Sequence, residues 1–249
     1  MLGVVWCNCG PVQVRASGLE AGEVLAAHTK AAAGWPPLPG QAKPEVLPAP
    51  HPSLALALDS LLQAALANTP PAEGAVLAVV DARPTLASNH CWGAPGLACS
   101  RAVAVTLLAL QAGGAAITLV TCNKKGVQEV PLGPGDTISE VQGRLEGVQG
   151  ARAVRPAEVL DWARAGGAVH RMVVVLSDSH TCLADREGLW SALAAYRVVA
   201  PAAKVVWAVL GSRVLDQAVA RPGDRAMLDI TGWEPALVRV LQAFLTDGF

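Results

Sequence analysis

The sequence predicts an α/β fold, a mostly parallel sheet with helices on both faces, from three observations. Three segments, AVLAVV at 75–80, RMVVVLS at 171–177 and KVVWAVLGS at 204–212, are apolar almost throughout, as strands buried on both faces must be. Between them the apolar residues recur at helical spacing. Hydrophobic residues make up 52% of the 249-residue chain and charged residues 16%, which gives a large core and excludes a charge-driven disordered chain.

Residues 1–52 stand apart from that pattern. WPPLPG and AKPEVLPAPHP carry prolines at a density that no regular element tolerates, so this stretch is expected to be an irregular Pro- and Ala-rich leader. Ser53 to Leu66 begins on a capping residue and sets Leu54, Leu58, Leu61 and Leu62 on one face, which predicts a helix. With NTPPAEG behind it, a helix and linker occupy 53–74, and the main domain is expected over 75–249. There a strand at 75–80 is followed by a helix across Leu97 to Ala112 and a strand at 115–121. An extended piece near 127–132, a helix opening on the Thr137/Glu140 capping box, and a helix over 156–165 follow. After the strand at 171–177 comes a helix with Leu189, Leu193 and Tyr196 in register. The strand at 204–212, a short one at 226–230, and a helix with Leu237, Val240, Leu241 and Phe244 at i, i+3, i+4, i+7 complete the order.

Composition removes several function classes. Lys and Arg number 19 against 20 Asp and Glu, a net charge of −1, so the whole-molecule field draws in neither nucleic acid nor anionic lipid. Ala102 to Asn123 is uncharged over 22 residues, long enough for a bilayer, but Gln111-Ala112-Gly113-Gly114 reads as a helix stop and a turn. Helix, turn and strand are expected there, and no membrane partner. Cysteines at 7, 9, 91, 99, 122 and 182 fit neither a disulfide framework nor a zinc ribbon, and MLGVVWCNCG has no basic n-region. Reduced thiols and a cytoplasmic location, with nuclear residence also open, are expected. No GxxxxGK[ST] occurs and Gly133-Pro134-Gly135 is turn chemistry, so nucleotide hydrolysis is not supported.

In a doubly wound sheet, ligands meet the carboxyl ends of the strands beside the point where strand order reverses. Asp81 and Asp178 stand at two such exits. Helix capping or loop solvation is the plain alternative for both.

The order strand-Asp-loop-helix, then strand-Ser-Asp, resembles a von Willebrand factor A domain, whose metal-ion-dependent adhesion site uses a D-x-S-x-S loop, a distant Thr and a distant Asp. ALDSLLQAALANTPPAEGAVLAVVDA, VVVLSDSHTC and above all DRAMLDITGWEPALVRVLQAFLTDGF resemble the C-terminal A domain of the Ro ribonucleoprotein autoantigen, the TROVE family, over roughly 54–249. The resemblance implies a Rossmann-like von Willebrand factor A fold and a non-catalytic docking role in small noncoding RNA ribonucleoproteins, with such RNA as partner. The family's helical-repeat ring, which holds structured small RNAs, has no counterpart in the sequence, so a fragment of a longer gene product is a further reading.

The family pattern is broken at the site. D-x-S-x-S reads DARPT, with Asp81 kept, Arg83 in place of the first Ser, and Thr85 retaining a hydroxyl; the distant Thr falls at about Val154, followed by Arg155. Asp81, Thr85 and Asp178 supply three oxygens to a residual Mg or Mn, whereas a guanidinium at Arg83 repels the ion and takes its place. The expectation is that Arg83, with Arg155, pairs with Asp81 and Asp178 as a cationic substitute, so that no cofactor is needed. Weak residual metal binding is the alternative. A protein partner is expected at the Asp81/Arg83/Asp178 rim.

His90, Cys91, His180 and Cys182 form an arithmetical zinc set, and Cys182 with His180 or His90 and Asp178 a nucleophile pair, which keeps a Cys/His enzyme as an alternative. Cys7-Asn8-Cys9 is a weak redox or metal signal. Arg144, Arg152, Arg155, Arg164 and Arg171 are the RNA-binding candidates, provided they share one face; solvated helix faces are the bland reading. At 4% aromatic residues, base-stacking platforms are lacking, and Trp162, Trp190, Trp207 and Trp233 read as core or interface. A metal-independent protein-protein adaptor without RNA binding is the remaining reading.

Overall fold

β1 (Gly74–Val80), β4 (Met172–Ser177) and β5 (Lys204–Val209) are buried along nearly their whole length, which is why their sequences do not alternate. They form the centre of a six-stranded sheet completed by β2 (Ala115–Asn123), β3 (Gly126–Glu129) and β6 (Met227–Thr231), in the order β3-β2-β1-β4-β5-β6. All neighbours are parallel except β3, which returns antiparallel on β2. The computed structural model describes residues 18–33, 52–94, 96–179, 186–211, 219–221 and 223–248.

Strand side chains alternate between two cores. Val76, Ala78 and Val80 face one, and Leu77 and Val79 the other. The first is covered by α1 (Ala21–Ala33), α2 (Pro52–Leu66), α4 (Cys99–Ala112), α5 (Ile138–Glu146) and α8 (Leu237–Leu245). The second is covered by α6 (Pro156–Ala165) and α7 (Arg186–Val199). A single turn, α3 (Thr85–Ser88), lies between β1 and α4.

The uncharged run from 102 to 123 is a helix, a turn and a strand, as expected. Gly114, at φ +98°, makes the reversal that a side chain would resist. No described helix is long and apolar enough to cross a membrane. The capping box at α5 is present, with the Thr137 hydroxyl accepting from Glu140 N–H and the Glu140 carboxylate accepting from Thr137 N–H.

One expectation needs correction within the described residues. The stretch taken as an irregular leader contains α1, whose Ala21, Val24 and Leu25 are buried in the first core. Proline density at 34–51 outweighed a helical period at 21–33 that is short but real; Leu25 is fully buried. Residues 1–17 and 34–51 lie outside the described residues, Cys7 and Cys9 among them.

Candidate functional site

β1 connects onward to β2 on one side, while β4 opens the run of strands on the other, so strand order reverses between β1 and β4. The crevice outside their carboxyl ends is the place where such sheets hold ligands. Asp81 follows β1 directly and Asp178 follows β4. Asp81 N–H donates to Leu176 O at 3.0 Å, which ties the first exit to the neighbouring strand. Both aspartates are buried, at 0% and 3% exposure.

Arg83 folds back over this pair. Its Nε donates to Asp81 Oδ1 at 2.9 Å and its Nη2 to Asp81 Oδ2 at 2.8 Å, a two-pronged ion pair. The same Nη2 donates to Ser179 Oγ at 3.2 Å and lies 3.9 Å from Asp178 Oδ1. Ser177 Oγ stands 3.3 Å from Asp81 Oδ2 and accepts from Ser179 N–H at 3.2 Å. On the far side, Asn89 Nδ2 donates to Asp178 Oδ2 at 2.6 Å, while Asp178 Oδ1, buried, accepts no hydrogen bond.

The loop between α3 and α4 roofs the crevice. Cys99 N–H donates to Asn89 O and Cys91 N–H to Leu97 O, closing the loop on itself. Trp92 N–H donates to Leu210 O and Trp233 N–H to Trp92 O, pinning the loop to the exit of β5; the Trp92 ring is left 48% exposed. Gly211 passes flush beneath the second exit, where an added Cβ would stand 2.4 Å from Asp178 O.

Asp81, Arg83 and Asp178 therefore come together as expected, and the others do not join them. Thr85 is exposed, begins α3, and makes no hydrogen bond to either aspartate. Val154, at the position of the distant Thr, is fully buried and offers no side-chain oxygen. Arg155 is exposed at the start of α6, and no ion pair joins it to either aspartate; among the described residues the cation paired with them is Arg83. Proline at 156, the first residue of α6, leaves Arg155 as the helix N-cap in extended conformation.

The candidate RNA-binding arginines do not form one patch. Arg144 is held by Asp136, whose carboxyl this hydrogen bond keeps below its ordinary range. Arg152 grips Glu158 at 2.6 Å, Arg164 meets Asp161 at 3.3 Å, and Arg171, at the opposite end of the sheet, meets Asp247 at 2.6 Å. These four charges are paired with carboxylates within the fold, whereas Arg155 is exposed.

Of the cysteine and histidine sets, His180 and Cys182 lie outside the described residues, and His90 is exposed. Cys91 instead faces Cys99, with the sulfurs 3.8 Å apart; that hydrogen bond and burial hold the Cys91 thiol well above its usual range. Trp207 and Trp233 are buried, as core residues should be, while Trp162 and Trp190 are half-buried. Asn89, Ser177, Ser179 and Trp92 were not singled out from the sequence. Only the SDS run beside Asp178 signalled two of them; Asn89 and Trp92 reach the rim through loop folding that no local motif announces.

A hard divalent ion needs an open shell of oxygens. Here both oxygens of Asp81 are occupied by guanidinium N–H groups, and the described residues hold no cluster of three or more His, Cys, Asp or Glu suited to a metal. The residues present do not fit the ion.

A doubly wound sheet with paired aspartates at the β1 and β4 exits defines a von Willebrand factor A-type domain. A sequence model of the Ro60 vWA domain matches residues 75–245. The chain belongs to the Ro60 vWA domain family. Its fold is similar to that of the Deinococcus radiodurans Ro (RSR) protein, with TM-score 0.81 and 21% identity over 96% of this chain. The match covers 46% of that protein, so the chain spans about half its length. A proximal thread matrix protein from mussel byssus aligns over 76% of this chain and 50% of its own, at 14% identity and TM-score 0.40. Among curated protein sequences none matches.

Proposed function

We propose that the chain is a non-catalytic docking module of a Ro-like assembly, associated with small noncoding RNA ribonucleoproteins, and that it docks through the rim over β1 and β4. The carrying observation is the rim itself: a rigid, buried Asp81–Arg83–Asp178 cluster beneath a pinned loop that presents the half-exposed Trp92. Trp and Arg on a fixed frame are the residues that dominate interface energies. The family likeness supports the ribonucleoprotein setting.

A docking role without catalysis is supported by the chemistry of the rim, where a guanidinium ties up the Asp81 carboxylate, the nearby thiols of Cys91 and Cys99 are buried, and the Cys91 thiol is held well above its usual range. The commitment of Arg144, Arg152, Arg164 and Arg171 to carboxylates favours RNA held by another member of the assembly. The same observation favours a second reading, an adaptor that has no RNA in its complex.

The test is co-purification of the tagged chain with small structured RNA, paired with filter binding of the purified chain to that RNA. RNA recovered with the wild type, lost with Trp92→Ala, and bound only weakly by the purified chain is the expected result. Recovery of a protein partner without RNA would favour the adaptor. Submicromolar binding by the purified chain, reduced by Arg152→Ala or Arg155→Ala, would overturn the division of labour.

A further inference from the structure

We propose that Arg83 is a permanently tethered cation standing where an A-type domain would seat a divalent ion, so that this rim works without metal, and that vacating it opens a divalent-cation site on Asp81 and Asp178. Three features of the cluster support this beyond the ion pair itself.

The two carboxylates are buried, yet neither is paired with a second carboxyl proton donor or a histidine among the described residues; their ion pairs run to Arg83. A buried anion pair is tolerated only with a counter-charge held between its members. The counter-charge is also an imperfect fit. A flat guanidinium satisfies Asp81 with two bonds but stops 3.9 Å short of Asp178 Oδ1, which is left buried with no donor. An acceptor aimed into the cluster and unserved by the occupant marks a volume suited to a compact, multivalent cation.

The remaining walls are hard oxygen donors. Ser179 Oγ lies 3.2 Å from the guanidinium and Ser177 Oγ lies 3.3 Å from Asp81 Oδ2. Removing the guanidinium leaves two carboxylates and two hydroxyls around one space, and Arg83→Ser adds a third hydroxyl. Such an all-oxygen set selects Mg or Mn over softer metals.

The proposal rests on the rim reading for its consequence and not for its test, which uses no partner: these cation profiles in a chain that docks nothing would defeat the docking reading alone. Mn²⁺ is titrated calorimetrically into the full chain as wild type, Arg83→Ser, Arg83→Lys and Arg83→Ser/Asp178→Asn, with thermal unfolding alongside. Wild type and Arg83→Lys are expected to show no saturable binding. Arg83→Ser gains saturable binding and a thermal midpoint that rises with Mn²⁺, as mass action requires; the double variant loses both. Saturable Mn²⁺ binding by the wild type overturns the proposal, and this outcome is readable even if Arg83→Ser does not fold. A folded Arg83→Ser that ignores Mn²⁺ overturns it as well.

Discussion

At the scale of single residues, the cation paired with both aspartates at the β1 and β4 exits is one side chain among the described residues. Arg83 is the charge between Asp81, with a fully buried side chain, and Asp178, whose side chain is 1% exposed. Removing one partner of a buried ion pair leaves an uncompensated charge, so Arg83→Ala is expected to destabilise the chain by about 3 kcal/mol, read by urea unfolding. His170 sets a second residue-scale expectation. It is buried, with Nδ1 2.9 Å from Tyr196 OH and Nε2 3.2 Å from Thr118 Oγ1, and burial holds its pKa below the ordinary imidazole value. The unfolded chain takes up this proton near pH ~6.5 and the folded chain only below that. The unfolded state therefore binds more protons, so the contribution of neutral His170 is complete above pH ~6.5 and is lost as pH falls. The thermal midpoint should drop more between pH 7 and pH 5 in the wild type than in His170→Gln.

Elements carry the next set of consequences. The exits of β4 and β5 run side by side at Gly211, where an alanine Cβ would meet backbone, Asp178 O at 2.4 Å, and not a flexible side chain that can yield. Gly211→Ala should cost roughly 2 kcal/mol by overpacking and should displace Asp178 from Asn89, visible as a chemical-shift change at the Asn89 side-chain amide. The helix α1 is an integral layer of the first core. Leu25, fully buried against it, predicts a loss of about 3 kcal/mol for Leu25→Ala by denaturant unfolding, whereas a detached leader would register nothing. The sequence shows α5, α6 and α8 clearly, because capping box, N1 proline and heptad-like spacing are local signals. It shows α1 poorly, because a short run of alanines and small polar residues is defined by the helix it packs on, α2, more than by its own period.

For the whole molecule, the net charge is −1 and Arg144, Arg152, Arg164 and Arg171 are paired with Asp136, Glu158, Asp161 and Asp247. Filter binding of the purified chain to a small structured RNA is expected to be weak, with a slope of log affinity against log salt no steeper than about −2. A slope several-fold steeper would mean that these ion pairs open on RNA.

The sequence by itself determined the class of this protein: continuous apolar strands separated by amphipathic helices admit only a sheet covered on both faces, and Asp81 and Asp178 are legible because an acid after a buried strand must sit at its exit. The resemblance to the D-x-S-x-S motif marked Arg83 as its break, and a guanidinium two residues from an aspartate can reach it locally. Tertiary structure alone decided the rest. Whether Arg83 or Arg155 closes the pair depends on where α6 begins relative to β4, and the pairing of Arg171 with Asp247, 76 residues away, depends on packing across elements. Asn89 and Trp92 reach the crevice only because a loop far along the chain from Asp178 is pinned to the exit of β5. Contacts between residues close in sequence follow from local geometry; contacts across many tens of residues follow from which strands lie side by side, and that order is fixed by burial of the whole sheet.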